Sequence, residues 1–186
     1  MEAIGILMNE HRLIERMINL MKLELESLKS ANDADDSFIL AVIDFLRNYA
    51  DKNHHGKEEG ILFRELDKKD LTLEHRKIMT LLIDEHKVAR NMVWALESAR
   101  QKHLQEIDHP IADIIESLDS LVKLYPKHIE KEDKQFFFPC MKYFTLKELK
   151  DMLKEFEDFD MAMNLTRYDY LVEQYENSKL PNLKNL

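Results

Sequence analysis

The sequence predicts an all-α fold, an up-down-up-down four-helix bundle with an additional C-terminal helix. Three observations predict it. Apolar residues recur at spacings of three and four along almost the whole chain, the period of one helix face. Only 3 Gly and 4 Pro occur in 186 residues, too few for the Gly-rich turn of a Rossmann or P-loop fold or for the many turns of a β-sandwich. Four apolar stripes of similar length are separated by short polar segments, as in helices joined by tight loops.

The first stripe runs Ile4, Leu7, His11, Ile14, Ile18, Met21, Leu25 and Leu28, and the small and acidic residues 31–36 end it. Ser37 is placed to cap the second helix, whose stripe reads Ile39, Ile43, Leu46, Ala50, His54, Glu58 and Ile61 and reaches Leu66. After the connection Lys68-Lys69-Asp70, Thr72 caps a third helix with the stripe Met79, Leu82, His86, Val93 and Leu96, stopping before Asp108. Pro110 suits the first turn of a fourth helix, with Ile114, Leu118, Leu121, Tyr125, His128 and Glu132 inward and an end before Pro139. Pro126, inside that helix, removes a backbone donor near His128 and is expected to bend it. Thr145-Leu146-Lys147-Glu148 is a capping box that opens a fifth helix, expected to run to Tyr175. This gives one domain over 1–175 (bundle 1–139, C-terminal helix 145–175) and a frayed tail at 176–186, with no internal repeat.

Composition narrows the function. Apolar residues make up 45% and charged residues 34%, enough for a full core under solvated helix faces. A net charge of -9 and a pI near 5.4 repel phosphate backbones and anionic bilayers, so neither nucleic acid nor membrane is an expected partner. The single Cys140, after Pro139 in an expected loop, excludes a disulfide framework and a Cys-rich zinc site. Without a basic-flanked leader or an apolar run of about 18 residues, the reading is a cytoplasmic protein.

The chemistry lies in the stripes. His11, His54, His86 and His128 fall one to each bundle helix. A single histidine on an apolar face is most often a satisfied core residue. Four of them, counted from the shared end of an antiparallel bundle, lie about 9 to 13 residues in, a spread of about 6 Å at ~1.5 Å per residue. Imidazoles converging in one dry layer cost several kcal/mol unless their nitrogens are satisfied, and a metal satisfies them. His54 and His128 each carry a carboxylate one turn on, Glu58 and Glu132. An (i, i+4) pair shares one helix face, so the imidazole can ligate one ion while the carboxylate bridges to a second. Four imidazoles and two carboxylates leave room for water or an exogenous ligand, and such a donor set suits iron or zinc.

The register is open at two places. His55/Glu59 has the same spacing as His54/Glu58, and Asp133 competes with Glu132. His54 and Glu58 extend the line of Leu46 and Ala50, so they are chosen. His55 is then a supporting residue or an extra ligand, with a solvated helix face as its plainer reading. Gly56 leaves backbone room for the site or a small ligand, while Tyr49 and Tyr125 are read as bundle packing and Phe136-Phe137-Phe138 as core. Glu106-Ile107-Asp108-His109 matches Glu-x-x-His but stands alone at a helix end and is set aside.

These segments resemble the hemerythrin-like family, the HHE cation-binding domains: Asn9-Glu10-His11, His54-His55-Gly56-Lys57-Glu58-Glu59-Gly60-Ile61-Leu62-Phe63, Asp84-Glu85-His86, and His128-Ile129-Glu130-Lys131-Glu132-Asp133 leading to Phe138-Pro139. The resemblance covers residues 1 to 145 and implies a four-helix bundle holding an oxo- or hydroxo-bridged di-iron centre. Carried over by position, His11, His54, His86 and His128 are ligands and Glu58 and Glu132 bridge. Members bind O2, respond to or reduce nitric oxide, donate iron, decompose peroxide, or sense oxygen or iron. The oxygen carriers have a histidine where Arg90 stands here, and their last carboxylate falls five residues after its histidine, which would select Asp133. The resemblance therefore implies a more open site that takes O2, NO or H2O2, with NO-reducing or peroxide-decomposing activity as the enzymatic form. Two other readings stand beside it. One is an iron or oxygen sensor whose segment from Met161 to Leu186 contacts a protein or redox partner. The other is a structural dizinc bundle.

Overall fold

The structure, a computed structural model, describes residues 2–31, 34–105, 107, 110–161, 163 and 165–179. All regular structure among them is helical, and none of their helices is long and apolar enough to cross a membrane. Six helical runs follow in order: α1 (Glu2–Ala31), α2 (36–67), α3 (Leu73–Leu104), α4 (110–140), α5 (Leu146–Met161) and α6 (Thr166–Lys179).

Capping follows local chemistry, with one correction. Asp35, not Ser37, caps α2: its side chain accepts from the Phe38 amide at 3.0 Å. An ionised carboxylate is the stronger acceptor, and it also favours the helix N-terminus electrostatically. Thr72 caps α3 by accepting from the His75 amide. The capping box at α5 is complete, with Glu148 accepting from the Thr145 amide at 2.8 Å and Thr145 Oγ1 from the Glu148 amide at 3.3 Å.

Three further expectations shift. The segment expected to form one C-terminal helix is two, α5 and α6, with Met163 and Leu165 non-helical between them. Residues 176–179, read as tail, are helical and tied down, since Lys179 reaches Glu24 at 2.6 Å and Asp35 at 3.2 Å. Residues 180–186, with Glu106, Asp108 and His109 of the isolated motif, lie outside the described residues. α4 does not stop before Pro139. A π-helical turn, Glu132–Phe136, is followed by a short α-turn, Phe137–Cys140, in which Pro139 is the third residue. Cys140 consequently sits buried in a helical turn rather than a loop.

The apolar interior is two clusters with a polar slab between them. Along α1 the chain contributes Ala3, Ile4 and Leu7 to one cluster, then Glu10 and His11, then Leu13 to Leu28 to the other. Along α2 the order is reversed: Phe38 to Ala50, then Asn53 to Glu58, then Ile61 to Leu66. α3 repeats the order of α1 (Leu82, His86, Ala89), and α4 that of α2 (Ile114 to Ile129, Glu132, Phe136). Polar rungs along α2 and α3 also run in opposite sequence: Asp36 to Arg100, Arg47 to Glu97, Asp51 to Arg90, Glu59 to His86 and Asp67 to Arg76. α5 packs Met152 and Phe156 on the first cluster and α6 packs Tyr168 and Val172 on the second. Phe138 departs from expectation, standing half exposed while Phe136 and Phe137 are fully buried.

Candidate metal centre

The slab is built where α2 and α4 leave α-helical geometry. α2 is π-helical over Leu46–His55 and Glu58–Phe63, and α4 over Glu132–Phe136. A π-turn holds one residue more than an α-turn, so two adjacent side chains can face the same interior. Burial separates the neighbours between which the sequence left the register open. His54, His55 and Glu58 are all buried, and His55 is not on a solvated face. Glu132 is buried, while Asp133 lies beside it at the rim.

Two groups of potential ligand atoms result, each within 4.8 Å: His11, His54, Glu58 and Glu132, and His55, Glu58, His86 and His128. The structure thus brings together all six residues chosen from the sequence and adds His55. His11 Nε2 and His54 Nε2 are 2.9 Å apart, and His86 Nε2 and His128 Nε2 are 3.1 Å apart. Two imidazoles on one ion at right angles, each about 2.0–2.1 Å from it, have their nitrogens about 3 Å apart. Glu58 directs Oε1 to His54 Nε2 at 3.4 Å and Oε2 to His86 Nε2 at 3.3 Å. Glu132 directs Oε2 to His11 Nε2 and Oε1 to His128 Nε2, both at 3.2 Å. Each carboxylate therefore faces both groups.

The outer nitrogens explain the orientation of the rings. Every converging imidazole gives Nδ1 to a carboxylate: His11 to Asp133 at 2.8 Å, His54 to Glu10 at 2.9 Å, His55 to Asp51 at 3.3 Å, His86 to Glu59 at 2.7 Å and His128 to Glu85 at 2.8 Å. A carboxylate at Nδ1 holds the proton there and leaves the Nε2 lone pair facing inward, the tautomer a metal needs. The inward Nε2 atoms then meet one another and the carboxylates. Both oxygens of Glu58 and of Glu132, and Nε2 of His55, have no hydrogen-bond partner among the described residues. Two fully buried carboxylates in that state call for positive charge, so the donor set fits metal cations.

The ionisation of the metal-free residues says the same. Burial pushes His54 down to about 4, assisted by His11 and opposed by Glu10. Burial and the neighbouring His86 hold His55 well below its ordinary value. Burial also disfavours charge on His128, but Glu132 and Glu85 outweigh it and raise His128 to about 9. Burial and the facing Glu132 raise Glu58, while the charge of His128 and the imidazoles of His11 and His86 facing it hold Glu132 down against burial. Protonated imidazoles thus supply part of the positive charge that ions would bring.

Sequence reasoning missed the supporting carboxylates. Their signal was present, since Glu10-His11 and Glu85-His86 are the same pair, and His54 to Glu59 and His128 to Asp133 follow one spacing. Glu10 supports His54 and Glu85 supports His128, while Asp133 supports His11 and Glu59 supports His86. Lys57 and Lys131 hold Glu10 and Glu85 in the same way. The site is therefore a two-fold repeat of roles. His55 breaks the symmetry, because its counterpart is Ile129.

The surroundings are equally specific. Arg90 donates to Asp51 at 2.7 Å and Glu59 at 2.6 Å, bracing the supports of His55 and His86. It lines a cleft of about 250 Å³ with Leu46, Asp51, His55, Trp94 and Tyr125. Gly56 makes room for a side chain rather than a ligand: a Cβ there would meet the Phe159 ring at 3.1 Å. Tyr49 stacks on Phe45 and packs edge-on to Tyr168, as bundle packing requires. Cys140 is no nucleophile, since burial pushes its thiol up to about 12.

A family model described as the hemerythrin HHE cation binding domain matches residues 2–137. No curated protein and no solved structure gives a significant match. The matched residues span the whole polar slab, and by that match the chain belongs to the hemerythrin HHE cation-binding domain family.

Proposed function

We propose that this protein is a non-haem di-iron protein that binds or reacts with O2, NO or peroxide at its buried histidine–glutamate centre. The observation that carries the reading is that Glu58 and Glu132 each turn one oxygen to the His11/His54 pair and the other to the His86/His128 pair. Such carboxylates hold two ions at a fixed separation. Imidazole is a borderline donor and carboxylate a hard one, a mixture that suits iron. Two irons would supply reversible one-electron changes and coordination positions open to a small ligand.

The chain's own residues do the rest. His11 and His54 serve one ion, His86, His128 and His55 the other, and the five carboxylates behind them accept from Nδ1 and keep each Nε2 aimed inward. Phe136 and Phe137, with Leu62 and Phe63, close one end of the slab to water. Arg90, standing where the oxygen carriers have a histidine, braces Asp51 and Glu59, and His55 supplies an imidazole to that half from α2.

The same proposal takes the four long helices as an up-down-up-down bundle. The alternating order in which α1 to α4 meet the two apolar clusters supports it. A cytoplasmic setting, which supplies electrons for the irons, goes with it.

Metal analysis and an optical spectrum of the full chain, before and after O2 and NO, test the reading. The expected result is two irons per chain, near-ultraviolet charge-transfer absorption that responds to the gases, and loss of both in His54→Ala and Glu132→Ala. No iron after anaerobic reconstitution would falsify it. Full zinc occupancy without any optical response would mark a structural dizinc bundle.

A further inference from the structure

The two halves of the centre share one plan but differ in what stands behind them. In the His86/His128 half, Lys131 holds Glu85, which holds His128 Nδ1. No further carboxylate is recorded on Lys131 among the described residues. In the His11/His54 half, Lys57 holds Glu10, which holds His54 Nδ1 at 2.9 Å, and Lys57 is itself held by Asp160 of α5. Lys57 is fully buried and Asp160 is 30% exposed in its side chain. Asn53 adds a bond of 2.9 Å to the Glu10 oxygen that receives Lys57. Next to Asp160, the Phe159 ring lies against Gly56, inside the turn between His54 and Glu58.

We propose that Asp160 is a positioning residue for His54, acting through Lys57 and Glu10, so that α5, beyond the matched segment 2–137, completes one half of the metal centre. The inference rests on the metal-site reading only in needing His54 to hold an ion. The physical reason is how one buried ammonium divides its charge. With Asp160 present, Lys57 is shared between two carboxylates, and Glu10 keeps enough electron density to accept strongly from His54 Nδ1. With Asp160 neutral, the whole charge of Lys57 rests on Glu10. The Glu10–His54 bond weakens, the imidazole becomes a poorer donor at Nε2, and the ring loses its fixed aim. Lys131 needs no such partner, because its side chain is 18% exposed and water shares its charge.

The test is a cobalt(II) titration of the full-length, metal-free protein, followed by visible absorption with bound cobalt measured. His54→Ala identifies the binding step that belongs to the His11/His54 half. Asp160→Asn is expected to weaken that step about tenfold, the scale for supporting partners of a ligand, and to leave the other unchanged. Asp160→Glu is expected to restore it. In a Lys57→Met background Asp160→Asn should add nothing, since the effect passes through Lys57. Circular dichroism keeps a folding loss apart, and Asp160→Ser is a second neutral side chain should Asn fail to fold. The proposal is overturned if both steps survive Asp160→Asn, if both weaken alike, or if the Lys57 and Asp160 effects add. A wild type that takes up no cobalt(II) overturns the metal-site reading and this inference together. A wild type and an Asp160→Asn variant that each take up two with equal affinity overturn this inference alone.

Discussion

Glu58 and Glu132 carry the cost of the site. Each is fully buried with two unpartnered oxygens, in a core otherwise closed by leucine, isoleucine and phenylalanine. A buried polar group left without a hydrogen-bond partner carries a desolvation penalty of about 1–3 kcal/mol. Glu58→Met is therefore expected to raise the urea midpoint of the metal-free protein by an amount equivalent to about 1–3 kcal/mol while abolishing uptake of the second ion. A lower midpoint in the metal-free variant would show that Glu58 is satisfied without metal. His55 shows what residue patterning misses. At 3.6 residues per turn it falls beside the stripe of His54, on the line of Asp51. The π-turn moves it inside, where it stacks on His86 at 3.8 Å between ring centroids.

At the scale of elements, the clearest sequence signals were caps. The box at Thr145 and Glu148 is local, decided by four consecutive residues, and it formed as read. It also gives a pH dependence. The Lys69 ammonium, with the Thr145 amide and hydroxyl, holds the Glu148 carboxyl down to about 2, well below its ordinary 4.5. A lowered folded-state value contributes stability that is present above the unfolded-state value and is lost as pH falls through the folded-state one. Wild type is thus expected to exceed Glu148→Gln in stability at pH 6, with the difference shrinking from about pH 4.5 toward pH 2. Being exposed, the effect is small and screened by salt. Urea midpoints of the two proteins across that range check it, and a difference that grows on acidification would refute it. On α4, Leu118 is fully buried in the larger cluster. Leu118→Ala is expected to cost about 2–5 kcal/mol, the transfer loss plus the cavity, read from the same denaturation curves.

For the whole molecule, ions that bind only the folded chain stabilise it by mass action. Metal at 100 times its dissociation constant adds about 2.7 kcal/mol. For a chain of this size that is a rise of about 5–10 °C in Tm, at about 2–4 °C per kcal/mol. Removing metal with a chelator is expected to lower Tm by that amount and restoring it to recover the loss; a melt indifferent to metal would contradict the centre. α5 and α6 add a second dependence. Arg16 grips Glu176 through two bonds, of 2.9 and 2.7 Å, and Lys179 ties α6 to Glu24 and Asp35. A partner of residues 166–179 would thus meet a docked helix.

What the sequence determined by itself was periodic or local: the helices, the inward faces of His11, His54, His86 and His128, and the carboxylates one turn after two of them. A stripe that must bury its apolar residues aims everything else in that stripe at the same interior, so four imidazoles and two glutamates were legible from spacing alone. Tertiary structure decided what spacing leaves degenerate. It chose between neighbours through π-turns, bringing His55 inside and setting Asp133 behind His11. It split the C-terminal helix between two apolar clusters. It also joined four of the five rings to a carboxylate on another helix, as with Glu10 to His54 and Glu85 to His128, and Asp160 to Lys57 across 103 positions of chain. The physical reason is that a hydrogen bond between helices depends on where two backbones pass, and that is set by the packing of the whole core rather than by any window of sequence.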